Sequence, residues 1–344
     1  MPLRMSLFCV VPLFALWSLA LSSATAAEDS ADPAFAAAKR LGRGINLGNA
    51  LEAPAEGAWG IQLEESYFQR IKQAGFDSVR IPINWAAHAQ VIAPYEIEPR
   101  FCERVDWAID QALANKLAVV VNIHHYDDMN RAPDEHLDRC LALWKQIAER
   151  YRDRPDAVMF ELLNEPHDKL DDDRWNGMIP QFLAVIRPTN PRRAVIAGPS
   201  QWNSVSHIDR LQLPDDDRAL IATVHYYLPF QFTHQGAPWA QGAERWLGTT
   251  WTGSAAEQKA LDDDFDRAAK WGREHRRPVY LGEFGAYSKA PLDSRARWTR
   301  SVRDAAEKRG MSWSYWEFAS GFGAFDPLTR QWRPRLLEAL VGPR

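Results

Sequence analysis

The run Ala157–Val158–Met159–Phe160–Glu161–Leu162–Leu163–Asn164–Glu165–Pro166 narrows the possible folds of this chain more than any other stretch. It is apolar through most of its length and then ends in Asn-Glu-Pro. Flanked by stretches of helical spacing, such a run reads as a central strand of a parallel sheet covered on both faces. Pro166 has no N–H to give, so the ladder is predicted to stop there, with Asn164 and Glu165 at the strand's C-terminal mouth. In α/β proteins ligands bind at that end. Pro278–Val279–Tyr280–Leu281–Gly282–Glu283–Phe284–Gly285 repeats the form, a short apolar strand closed by a glutamate.

Six further stretches read as strands: 42–49, 78–82, 118–125, 194–198, 219–227 and 311–318. Between them, apolar residues recur at three- and four-residue spacing over 64–74, 101–115, 133–147, 174–186, 255–273 and 294–308, with a short last helix over 334–340. Eight βα units without an internal linker or repeat predict an α/β fold: a single-domain (β/α)8 TIM barrel over 42–344, which leaves no open sheet edge. Residues 28–41 read as a short linker and lead-in. The segment 228–253 exceeds an ordinary connection and lacks periodicity, which marks it as a functional loop. Gly42–Asn49 is glycine-rich, but no helix follows it directly, so it is no dinucleotide fingerprint.

Met1 to Ala27 stands apart. Arg4 gives a positive start, Leu7 to Leu21 an apolar core, and Ala24-Thr25-Ala26 a cleavage signal. The apolar run is shorter than the ~20 residues a membrane span needs. A signal peptide over 1–27 is therefore predicted, giving a secreted or periplasmic protein with no membrane attachment after cleavage. The mature chain keeps Cys102 and Cys140, and spacing leaves a bridge or two buried thiols open; free thiols are expected. With 41 basic and 45 acidic residues interspersed, the net charge is -4, which carries no nucleic-acid footprint. A monomer is expected.

Collected by strand, the predicted mouth carries Asn46, Arg80, His124, Asn164 with Glu165, His225 with Tyr227, Glu283 and Trp316. Arg80, embedded among β-branched neighbours, requires an anionic partner. Two carboxylates facing each other across a small barrel suit glycoside hydrolysis, one protonated to serve as acid and one ionised to attack. The segment from His124 to Asp128, with His136, has ligand chemistry but no metal-site spacing, and Gly198-Pro199-Ser200 is no nucleophile elbow. No metal and no cofactor are expected.

With Leu163-Asn164-Glu165-Pro166, Gly282-Glu283-Phe284-Gly285, His225-x-Tyr227 and Trp316 in this order, the chain resembles the glycoside hydrolase family 5 cellulases from Gly42 to about Leu340. The resemblance implies Glu165 as acid/base and Glu283 as nucleophile of a retaining endo-β-1,4-glucanase acting on cellulose or a related β-glucan. It further implies Asn164 on the sugar 2-hydroxyl, Arg80 and Tyr227 on Glu283, His124 and His225 along the subsite, and Trp316 as its floor. Asn46 is a possible contact or a loop tie. Alternation turns His125 away from His124. Trp59, Trp202 and Trp239, with Trp85, Trp246 and Trp251, fall near the upper loops, where half are expected to face the cleft as stacking surfaces for a β-1,4-linked polysaccharide. Mannan, xyloglucan and xylan remain alternative substrates. A catalytically silent carbohydrate-binding barrel would be marked by loss of a carboxylate, and both carboxylates are present.

Overall fold

The structure, a computed structural model, describes residues 32–342; the expected leader therefore lies outside the described residues. Eight parallel strands pair in sequential order and close into a barrel. They are β1 Arg43–Asn46, β2 Ser78–Ile81, β3 Ala118–Asn122, β4 Val158–Glu161, β5 Val195–Ala197, β6 Leu220–Tyr226, β7 Val279–Phe284 and β8 Ser312–Tyr315. Helices Glu65–Gln73, Pro99–Ala114, Pro133–Arg150, Asp172–Ile186, Ala255–His275, Leu292–Lys308 and Pro334–Val341 follow the strands.

Strand β3 shows why this sequence closes as it does. All of Ala118–Asn122 is buried, because a parallel strand in a barrel has the interior on one face and helices on the other. Val119 and Val121 join the large cluster between strands and helices. Ala118 and Val120 point the other way, into a second cluster with Met159, Ile196, Ile221 and Tyr280 that fills the barrel itself. The interior is packed rather than hollow.

The lead-in expected over 28–41 is corrected by a helix, Pro33–Leu41, so the folded domain begins before Gly42. Asp32 caps it by accepting from the Ala34 N–H, and Arg218 donates to the same carboxylate at 2.7 Å. Ala34, Ala37, Ala38 and Leu41 form one buried stripe that joins the interior cluster and plugs it. Their i, i+3, i+4, i+7 spacing is legible in the sequence, but alanines contribute a weak hydrophobic signal. The strands are also shorter than the apolar runs suggested. β4 ends at Glu161, although the Leu162 and Asn164 N–H groups still donate to Ile196 and Ile123 carbonyls. Cys102 and Cys140 are separate buried thiols.

If the N-terminal helix is part of the core, Leu41→Ala should cost ~2–5 kcal/mol, the range for truncating a buried leucine. Denaturant unfolding checks this; an unchanged midpoint would return the helix to the status of a lead-in.

Candidate active site

The upper part of the barrel is organised around Arg80, which is fully buried on β2. Nε and Nη2 donate to the two oxygens of Glu161 at 2.6 and 3.0 Å. Nη1 donates to Glu283 Oε1 at 2.6 Å and to Asn46 Oδ1 at 2.8 Å, and Nη2 also reaches Asn164 Oδ1 at 2.7 Å. A guanidinium has five N–H donors, and all are engaged. Asn46 does not reach the cleft as a substrate contact. It is fully buried, and its amide donates to the Gly282 carbonyl and Ser314 hydroxyl, which fixes its oxygen toward Arg80. Since Asn164 turns its oxygen to Arg80 as well, its Nδ2 is left to donate elsewhere.

Glu283 ends in a second bond, from the Tyr227 hydroxyl to Oε2 at 2.8 Å. Glu165 sits differently. Its backbone is left-handed, at φ 47°, and Oε1 accepts from His225 Nδ1 at 2.7 Å. One oxygen of Glu165 and one of Glu283 lie within 4.8 Å of each other, with His225 between them. A bulge in the β6–β7 pairing, between Val224 and His225, sets His225 opposite Glu283 instead of Gly282. Bulges re-aim side chains in this way. Gly282 makes the room: a Cβ there would stand 2.7 Å from Thr223 Oγ1 and 3.0 Å from His225 Nε2.

The two carboxyls are tuned apart. Burial pushes Glu165 up to about 7, against the opposing charges of Arg80 and His167. Burial raises Glu283 too, but His225, Arg80 and the Tyr227 hydroxyl pull it back. Its ion pair with a permanent cation makes Glu283 the first of the two to ionise. Burial lowers His225 to about 4, so its ring is neutral, with Nδ1–H on Glu165 and Nε2 facing the Asn203 amide at 3.5 Å. Burial also lowers His124. Asn122 turns its oxygen to the Ile83 N–H and its amide to His124 Nδ1, which leaves the His124 proton on Nε2.

These groups floor a cleft of about 1160 Å³. Trp316 lines it, parallel to His124 at 5.8 Å, and a Cβ on Gly48 would stand 2.9 Å from the indole. Of the six loop tryptophans, Trp59, Trp202 and Trp239 line the cleft. Trp85 and Trp251 are buried in the core, and Trp246 packs on Phe230 at 5.9 Å. His125 does not turn away from His124: its backbone is left-handed, at φ 53°, which breaks the alternation and sets its ring edge-on to His124 at 4.6 Å, and it lines the cleft edge-on to Trp59 at 5.5 Å. The 228–253 loop forms one wall: Phe230, His234 and Trp239 join Tyr287 and Phe322 in an aromatic cluster.

Glu161 is the main group that sequence reading missed. Arg80 called for an anion, and a charge inside the apolar run of β4 was the available signal. His234, Tyr287 and Phe322 gave none, since loop aromatics look alike in sequence. Among the described residues, the His124–His136 segment forms no ligand set; Tyr126 holds His136, and Arg131 pairs with Asp127 and Asp128. The three groups that do converge are Glu165, His225 and Glu283.

The profile of the cellulase family (glycosyl hydrolase family 5) matches residues 42–321. Endoglucanase H of Acetivibrio thermocellus is 36% identical over 319 residues, covering 91% of this chain and 34% of its own length. The chain thus spans about a third of that relative. Cel5A of Thermotoga maritima, solved with cellobiose, is 50% identical at a TM-score of 0.88, covering 90% of this chain and all of the other. The same protein has been solved with mannotriose.

Removing Arg80 would strand two buried carboxylates. Arg80→Met should cost ~3–5 kcal/mol, and adding Glu161→Gln should recover part of it. Unfolding of the single and double variants measures this; strictly additive losses would dissolve the pairing.

Proposed function

The chain belongs to glycosyl hydrolase family 5, and on that basis we propose that it cleaves internal β-1,4 linkages of cellulose or a related β-glucan with retention, using Glu283 as nucleophile and Glu165 as acid/base. The observation that carries the assignment is the pair of unlike carboxyls within 4.8 Å. Retaining enzymes hold theirs ~5–5.5 Å apart, whereas inverting ones leave ~6.5–9.5 Å for a water.

The protonation states give the order of events. Oε1 of Glu165 accepts from neutral His225, so the proton sits on Oε2, available to the leaving oxygen. Glu283 attacks the anomeric carbon, the C–O bond to the leaving sugar breaks, and that oxygen takes the Glu165 proton. Glu165, now a carboxylate, removes a proton from water. The resulting nucleophile attacks the same carbon and frees Glu283. Asn164 Nδ2 donates to the 2-hydroxyl as charge builds on the ring. Trp316 and the exposed tryptophans offer apolar faces to the C–H sides of the sugars.

A second reading, action on β-1,4-mannan, is favoured by the mannotriose complex of the Thermotoga protein. The leader-like stretch over 1–27 supports export and action outside the cytoplasm.

Glu165→Ala should lose ~10²–10⁴-fold in rate on oligosaccharides, and Glu283→Ala nearly all turnover. Azide should restore Glu283→Ala with an α-glycosyl azide product and Glu165→Ala with a β-glycosyl azide. The opposite anomers would exchange the two roles. Because glycosylation needs Glu165 protonated, kcat/KM should fall as pH rises through about 7, with an acid limb set by Glu283. A rate flat from pH 5 to 9 would contradict the pair. Product sizes from a cellulose derivative, mixed-linkage glucan, mannan, xylan and xyloglucan decide the polymer.

A further inference from the structure

The loop carrying Glu165 and the loop after β5 are joined by contacts that the displacement chemistry does not use. Glu165 and Asp168 have left-handed backbones, and so do Gln201, Trp202 and Asn203 in succession. Residues with a Cβ hold that conformation only where their surroundings fix it. Here three hydrogen bonds and a ring stack fix it. His167 Nδ1 lies 2.6 Å from the Glu165 carbonyl oxygen, which can only accept, so Nδ1 carries the proton. The His167 N–H donates to Asn130 Oδ1 at 3.1 Å, and the Trp202 N–H donates to the Pro166 carbonyl at 3.1 Å. The His167 and Trp202 rings stack at 4.9 Å and 14°. Asn203, next in the turn, faces the imidazole that holds the Glu165 carboxyl.

Trp202 is 49% exposed and lines the cleft beside Glu165 and Gln201. One ring face is taken by His167, which leaves the other for a sugar. Glu165 protonates the leaving oxygen, so a sugar on Trp202 belongs to the leaving part of the substrate.

We infer that His167 is a positioning residue: its Nδ1–H bond aims Glu165, and its ring mounts Trp202, so leaving-group binding and proton donation share one support. The inference rests on the acid/base reading of Glu165. A displacement of about an ångström at the acid is enough for a large loss in rate.

Two variants separate the functions. His167→Phe keeps a ring under Trp202 but removes the donor. His167→Asn keeps an N–H near the Nδ1 position but removes the ring. The substrates are cellotetraose, whose leaving sugar needs a proton, and 2,4-dinitrophenyl β-cellobioside, whose leaving group does not. His167→Phe should lose ~10–100-fold in kcat/KM on cellotetraose and stay within about twofold on the aryl substrate. His167→Asn should recover most of the cellotetraose kcat while raising KM. Equal losses on both substrates, or none on either, would overturn the inference, the first marking a purely structural role. Glu165→Ala, run alongside, must show the same leaving-group selectivity more strongly. If it does not, the acid/base assignment fails and takes this inference with it; if it does while His167→Phe does not, only the role of His167 fails.

Discussion

One buried guanidinium sets the terms for everything above it. Arg80 comes from β2, and its partners Asn46, Glu161, Asn164 and Glu283 come from β1, β4, the loop just beyond β4, and β7. In an open sheet these strands would lie at different distances along a plane, and one side chain could not reach them all. Closing eight strands brings their inner faces to a common axis. An arginine in that position is costly unless every donor is matched. The matching therefore specifies the barrel's register and the nucleophile's position with the same set of bonds.

The charge balance of this group also accounts for the difference between the two glutamates. Glu161 and Glu283 share a single cation, so the ionised group is net negative before Glu165 is counted. Glu165 has no cation of its own in bonding contact; its carboxyl meets a neutral imidazole. Burial, helped by the negative charge of Glu161, keeps the proton on Glu165 to about pH 7. Two like side chains thus take unlike roles through the partners that their strands supply.

What the sequence made legible follows from what each signal depends on. The eight strands, their order and the two terminal glutamates were readable because buried parallel strands write unbroken apolar runs, and a carboxylate closing one has no packing role. The plug helix was readable in spacing but not in strength, since its stripe is mostly alanine. Glu161 lay in plain sight within the opening run. Its meaning depended on which strand would face β2's arginine across the barrel, and that is a three-dimensional fact. Asn46 stays open in sequence between a ligand contact and a loop tie; the closed barrel turns it inward to Arg80, a structural role whose partner only the fold supplies. Loop aromatics were the least legible. Trp59, Trp202 and Trp239 differ from Trp85 and Trp251 only in which way their loops turn.

Those turns are where the site departs from regular geometry. Asn49, His125, Glu165, Gln201 and Trp202 all line the cleft, and all have left-handed backbones. A strand that continued straight would carry its side chains alternately inward and outward, which cannot bring both neighbours of a pair such as His124 and His125 to one opening. A single left-handed residue reverses the path and returns the second side chain to the mouth. The strands supply rigid positions for Arg80, His225 and Glu283, and the strained residues just beyond them convert those positions into a surface. The free energy spent on that backbone is recovered only while its ties hold, as Trp202 and Glu165 hold each other through His167 and Pro166. Precision at the mouth is therefore a property of contacts between loops, laid over a barrel that would close without them.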